Sequence, residues 1–187
     1  GDGRSVEIYL LANMIPGENT TVLRFERPSV KPLFGQELPA ECHVRLTVRF
    51  DIEDRNFHWE TKRNESAEHH FDSNVEELQG RAGFAFQPDE KRRLEIWTCA
   101  GQYHAAPEWS ENLPHPIEAS RGMTGHGDGF SPGWFELPLR RGETEDIIVT
   151  ADHSVPFAVD DSVLERPDVE DSRPADEAFA SRLNRAS

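Results

Sequence analysis

Residues Cys42–Ile52 read CHVRLTVRFDI, and this stretch decides the fold class. Val44, Leu46, Val48 and Phe50 fall on one side of an extended chain, and His43, Arg45, Thr47 and Arg49 on the other. A repeat of two is the mark of a β-strand. An apolar face backed by a polar, charged one belongs to an antiparallel sheet with one side packed and one side wet.

Working outward, the same signature recurs. Ser5–Leu11 (SVEIYLL) and Thr20–Glu26 (TTVLRFE) are predicted strands, with Pro16 and Gly17 marking the turn between them. Pro28, Pro32, Gly35 and Pro39 mark a loop before residue 42. Downstream, two short strands are predicted near His69–Asp72 and Val75–Gln79, another at Gly83–Phe86, and a clear one at Arg93–Cys99. Gly101–Ser131, rich in proline and glycine, reads as a long irregular loop of the kind that often carries function. Trp134–Leu139 and Glu145–Ala151 read as a final pair of strands, with Arg141-Gly142-Glu143 as their turn. The expected fold is mainly β: two antiparallel sheets packed as a sandwich over residues 1–155. An acidic linker is expected over 156–172. A helix over 173–187 would then lead towards a catalytic domain that this sequence lacks. Ser172 would cap that helix, Pro174 would sit in its first turn, and Ala175, Phe179 and Leu183 would line one face.

The chain has 187 residues, enough for one domain with a real core, and a formal net charge of -15. Such an acidic surface repels phosphate backbones and anionic lipid, so neither nucleic acid nor a membrane is an expected partner. A neutral polysaccharide is not repelled. Cys42 and Cys99 both lie in strand-like runs and are expected as small buried hydrophobes rather than a disulfide. No apolar run is long enough to span a bilayer. The absence of an initial Met suggests an excised segment.

A set of ordered motifs narrows the reading. Asn19-Thr20-Thr21-Val22-Leu23-Arg24-Phe25 comes first, followed by Arg49-Phe50 through Asp54-Arg55-Asn56-Phe57-His58 and then Asn64. Next come Arg121-Gly122 and Asp128, Phe130-Ser131-Pro132-Gly133-Trp134-Phe135, and finally Leu139-Arg140-Arg141-Gly142-Glu143. In this order they resemble the N-terminal domain of bacterial and archaeal glycogen debranching enzymes, the amylo-α-1,6-glucosidases. The resemblance implies a galactose-mutarotase-like super-sandwich, an α-glucan such as glycogen as substrate, and a cytoplasmic location. It also implies a following α/α-toroid domain that carries the catalytic acid and base. Gly127 departs from the pattern, standing where the family tends to have Glu, and the family's first segment is absent. Two other readings stay open: a non-catalytic carbohydrate-binding or interaction sandwich, and the equivalent domain of a related glucosidase or disaccharide phosphorylase.

Cleaving a glycosidic bond takes two carboxyl groups placed across a sugar. No catalytic residue, metal or cofactor is assigned here. The candidate substrate-binding or domain-interface residues are Arg55, His58, Trp59, Trp109, Arg121 and Asp128. Asp128 would bind a sugar hydroxyl or orient a loop; alternatively it caps backbone amides or pairs with Arg121. Trp59 would stack on a pyranose while Arg55, Asn56 and His58 hold hydroxyls; alternatively Arg55 and His58 tie a strand end to a neighbouring loop. Trp109 and Tyr103 are sugar platforms or anchors for the long loop. His69 and His70, adjacent on a predicted strand, would point to opposite faces, which disfavours their binding one metal ion.

Overall fold

The computed structural model describes residues 3–32, 35–39, 41–56 and 59–152. The linker and helix expected over 156–172 and 173–187, and His58, lie outside the described residues.

The fold is a β-sandwich. Its larger layer is a six-stranded antiparallel sheet in the order β2-β3-β11-β8-β7-β6. These strands are β2 (Tyr9–Met14), β3 (Thr20–Glu26), β6 (Val75–Glu77), β7 (Ala82–Asp89), β8 (Arg92–Thr98) and β11 (Thr144–Thr150). The smaller layer is a three-stranded antiparallel sheet, β5-β10-β9, built from β5 (Val44–Arg49), β9 (Gln102–Pro114) and β10 (His126–Leu139). A two-residue parallel pair, β1 (Arg4–Ser5) with β4 (Gln36–Glu37), is the exception to the antiparallel pattern.

The alternation in β5 does what its sequence dictates: Val44, Leu46, Val48 and Phe50 pack on the core, while Arg45, Thr47 and Arg49 are exposed. The core they join lies between the layers. Phe25, Phe84, Ile96 and Ile147 come from the larger sheet, and Phe135, Leu137 and Leu139 from β10. β3 matches its predicted span, Thr20–Glu26.

Four expectations need correction. First, Gly101–Ser131 is not an irregular loop. It forms β9, the short helix α2 (Pro116–Ser120) and the first part of β10. Prolines and glycines that read as breakers sit where a sheet tolerates them. Pro107 is on edge strand β9, and Pro132 falls between Ser131 and Gly133, where the register with β9 shifts. At Gly133 a Cβ would lie 2.2 Å from the His104 carbonyl oxygen, so the close approach of β9 and β10 requires glycine.

Second, His69–Asp72 is not a strand. It belongs to α1 (Glu65–Ser73). Asn64 caps this helix, its side chain accepting the Ala67 N–H at 3.0 Å, with Glu65 and Glu68 in the favourable first turn. The opposite-faces argument for His69 and His70 therefore falls. His70 instead bonds Asp54 at 2.9 Å and His69 bonds Ser73 at 3.3 Å.

Third, β10 and β11 are not a pair. Arg141 and Gly142 do turn the chain, with Gly142 at φ 79°, but the turn carries it from one sheet to the other. Buried Arg27 braces that corner through bonds to the carbonyls of Cys42 (3.2 Å) and Leu139 (3.3 Å). Fourth, the cysteines are not buried: Cys42 is half-buried and Cys99 exposed, and the two are not joined in a disulfide. Each lies just outside its strand, before Val44 and after Thr98.

Candidate functional site

Arg55, Trp59, Arg121 and Asp128 gather around the start of β10. The segment after β5 runs alongside β10 and is fastened to it at two points. Ile52 and Phe130 exchange backbone bonds of 2.8 and 3.0 Å, and Asp128 N–H donates to the Thr61 carbonyl at 2.8 Å. Ile52 and Thr61, on either side of residues 53–60, are therefore both fastened to one strand.

Asp128 is 5 % exposed and both its oxygens are used. Oδ2 accepts the Arg63 amide and Oδ1 the Asn112 amide, each at 2.9 Å, and the Lys62 ammonium stands 3.6 Å away. Burial pushes this carboxyl up. The two amides and Lys62 outweigh burial and hold it below the ordinary carboxylate range. Pairing shifts here from Gly127 opposite Leu113 to Gly129 opposite Ser110, so Glu111 and Asn112 together face Asp128. That is a β-bulge, and Asn112 takes the left-handed conformation, φ 59°. Asp128 thus caps backbone amides at the bulge. Its carboxylate bonds run to Arg63 and Asn112, not to Arg121.

A second network underlies the loop. Glu53 accepts from Arg55 Nε at 2.6 Å and bonds His115 Nε2 at 2.9 Å. Arg55 also donates to the Trp59 carbonyl at 3.1 Å and to Glu118 of α2 at 3.5 Å. The bond to Glu53 raises the Arg55 pKa, so the guanidinium is a permanent cation at this junction. The loop is thereby bolted to α2. Above it the Trp59 side chain is 72 % exposed. Arg121 closes α2 as its C-cap, its amide donating to Glu118 O at 3.0 Å, and its side chain has no partner among the described residues.

Gly127 is sterically fixed in this sequence. A Cβ there would lie 2.9 Å from Cε1 of His115, the ring that Glu53 holds. Trp109 goes elsewhere. Its indole meets Phe71 edge-on at 5.4 Å and Phe130 at 5.3 Å, in a cluster with Phe86 and Ile52 beneath α1. Tyr103 is a core residue against Phe84 and Phe135, its hydroxyl pushed up to about 12 by burial. Both rings are therefore anchors.

The structure thus brings Arg55, Trp59 and Arg121 to one end, puts Asp128 in the bulge, and packs the partly buried Trp109 against the Phe71–Phe130 cluster. Sequence reasoning did not single out Glu53 or Glu118, and did not connect His115 with Glu53. Glu53 and Arg55 are two residues apart, which is a weak signal, and the partners on α2 and just before it lie some sixty residues further on, which no local pattern reveals.

The family profile described as "Glycogen debranching enzyme N terminal" matches residues 4–145. The chain belongs to the glycogen debranching enzyme N-terminal family. The match runs from β1 to the start of β11 and takes in both sheets, the bulge and the Glu53–Arg55 network. No curated protein and no solved structure matches the chain. Within this glycogen debranching enzyme N-terminal domain, no helix among the described residues is long and apolar enough to cross a membrane.

Proposed function

We propose that this domain is the substrate-shaping accessory part of a cytoplasmic glycogen-debranching α-1,6-glucosidase. It forms one wall of an α-glucan cleft, and an α/α-toroid domain of the same polypeptide carries the catalytic carboxylates. Family membership supports the enzyme class. The observation that carries the sugar contact is Trp59: a large ring, 72 % exposed, on a loop held from below by the Arg55 guanidinium. An exposed aromatic on a fixed backbone suits the apolar face of a pyranose, and it loses little conformational entropy on binding. Arg121, without an ion partner on neighbouring α2, supplies hydrogen-bond donors to hydroxyls. Asp128 serves this surface indirectly by shaping the strand beneath it.

Affinity electrophoresis in gels with and without glycogen tests the reading. The domain should be retarded by glycogen, and Trp59→Ala should run as in the blank gel while keeping its unfolding transition. Retardation unaltered in Trp59→Ala would sink the assignment of Trp59. Glucose release from a limit dextrin by the pure domain would overturn its non-catalytic role.

A further inference from the structure

A cavity of about 300 Å³ adjoins the Arg55 network. It lies between the segment that follows β5 and the turn from β7 to β8. Glu53 and Asp54 border it from the former, Lys91 and Arg92 from the latter. Arg92 Nη1 donates to Asp54 Oδ1, which ties the two borders together. Phe86 of β7 and Leu94 of β8 give the cavity apolar walls, with Pro88, and Ala151 meets it just past β11. Its volume is at the small end of ligand pockets, so the occupant is a small molecule or a short stretch of a polymer.

Charge narrows the choice. Asp54 is bonded to Arg92 and, at 2.9 Å, to His70. Glu53 is bonded to Arg55 and His115. Arg92 also donates through Nε to Asp89. Lys91 adds one ammonium with no carboxylate partner among the described residues. An anionic ligand would meet that single unmatched cation in a chain of net charge -15. A cationic ligand would have to compete with the arginines for carboxylates already bonded. A neutral polyhydroxyl ligand does neither. A carboxylate has about four lone-pair sites and a guanidinium five N–H donors, so Asp54, Glu53 and Arg92 keep hydrogen-bonding capacity beyond the bonds they make. Acceptors and donors therefore stand side by side, as sugar hydroxyls need, and the apolar walls suit the C–H face of a pyranose.

We propose that this cavity is a saccharide subsite that takes one or two glucosyl units of a neutral α-glucan. It is separate from the Trp59 ring and joined to it through Glu53, which borders the cavity and holds Arg55, the donor to the Trp59 carbonyl. The choice of α-glucan rests on the proposed function; the neutral saccharide chemistry rests on the cavity.

Isothermal titration calorimetry of the whole chain with maltose tests it. Maltose should bind saturably, with a dissociation constant of about a millimolar or tighter, and glucose-1-phosphate should bind no tighter. Ala151→Trp adds a ring at the cavity and removes no ion pair. It should weaken maltose about tenfold or more while keeping the thermal transition, and Arg92→Leu should weaken it as well. The proposal is overturned if the folded protein does not bind maltose, if Ala151→Trp keeps the wild-type affinity, or if glucose-1-phosphate binds about tenfold tighter than maltose. Maltose binding that vanishes in Trp59→Ala and survives in Ala151→Trp would put the sugar on Trp59, overturning the cavity and leaving the proposed function standing. Maltose binding lost in Ala151→Trp, together with glycogen retardation unaltered in Trp59→Ala, would support the cavity and sink the assignment of Trp59 alone.

Discussion

Asp128 Oδ1 accepts the backbone N–H of Asn112 at 2.9 Å, across a bulge in which Asn112 is left-handed. A buried carboxylate with two amide donors is a strong local clamp. Asp128→Asn replaces one acceptor by an NH2 group facing a donor. The expected loss is about 2 kcal/mol, within the range for bonds to charged groups, read from urea unfolding. The sign with pH follows from the lowered carboxyl. A group depressed in the folded state contributes stability above its unfolded value, about 3.9, and that contribution fades as pH falls through the folded value. Wild type should therefore lose stability below about pH 4 more steeply than Asp128→Asn.

Placing a carboxylate side chain at Gly127 should be harmful. Its Cβ would lie 2.9 Å from the His115 ring, which Glu53 holds. Gly127→Glu should cost about 1–3 kcal/mol, as overpacked sites do. His115→Ala on its own removes the Glu53 partner. The double variant should be less destabilised than the sum of the two single changes, and a double-mutant cycle from denaturation curves measures this coupling. Strict additivity would count against the clash.

Phe71 is the only buried residue of α1, and it stacks on Phe86 at 5.2 Å. Phe71→Ala should cost about 3–5 kcal/mol and loosen the helix from the sandwich. Near-ultraviolet circular dichroism should lose intensity, because Trp109 packs on the same ring. An unchanged spectrum with unchanged stability would contradict the cluster.

Tyr103 tests the core from the alkaline side. Its hydroxyl is raised to about 12 by burial. A raised folded value gives stability that is complete below the unfolded value, near 10, and lost as pH climbs through the folded one. Tyr103→Phe should therefore unfold at higher pH than wild type. Thermal scans between about pH 9 and pH 12 would show the two curves diverge.

The strands were legible where burial on one face imposed alternation, as in β5 and β3. The β9–β10 hairpin was not, because an edge position and two register shifts absorb prolines and glycines that otherwise signal a loop. α1 was hidden because only Phe71 turns inward, leaving no apolar stripe to read. For the site, Trp59 and Arg55 could be picked out as residue types near a strand end. That Trp109 packs as an anchor, and that Asp128 binds Asn112 rather than Arg121, depended on the path of a hairpin folded over a segment some sixty-five to eighty residues earlier in the chain.

The pairing of β3 with β11 sets the timing of folding. Thr20 lies opposite Thr150, and Glu26 opposite Thr144, in the middle of the larger sheet. While the ribosome is still making the intervening chain, β3 has only β2 beside it, and the hairpin offers an open apolar edge. The larger sheet can close only after β11 emerges, since β11 joins β3 to β8. Contacts so distant in sequence fold slowly. Until then the β2–β3 hairpin carries an unpaired strand edge, the kind of edge that invites mispairing.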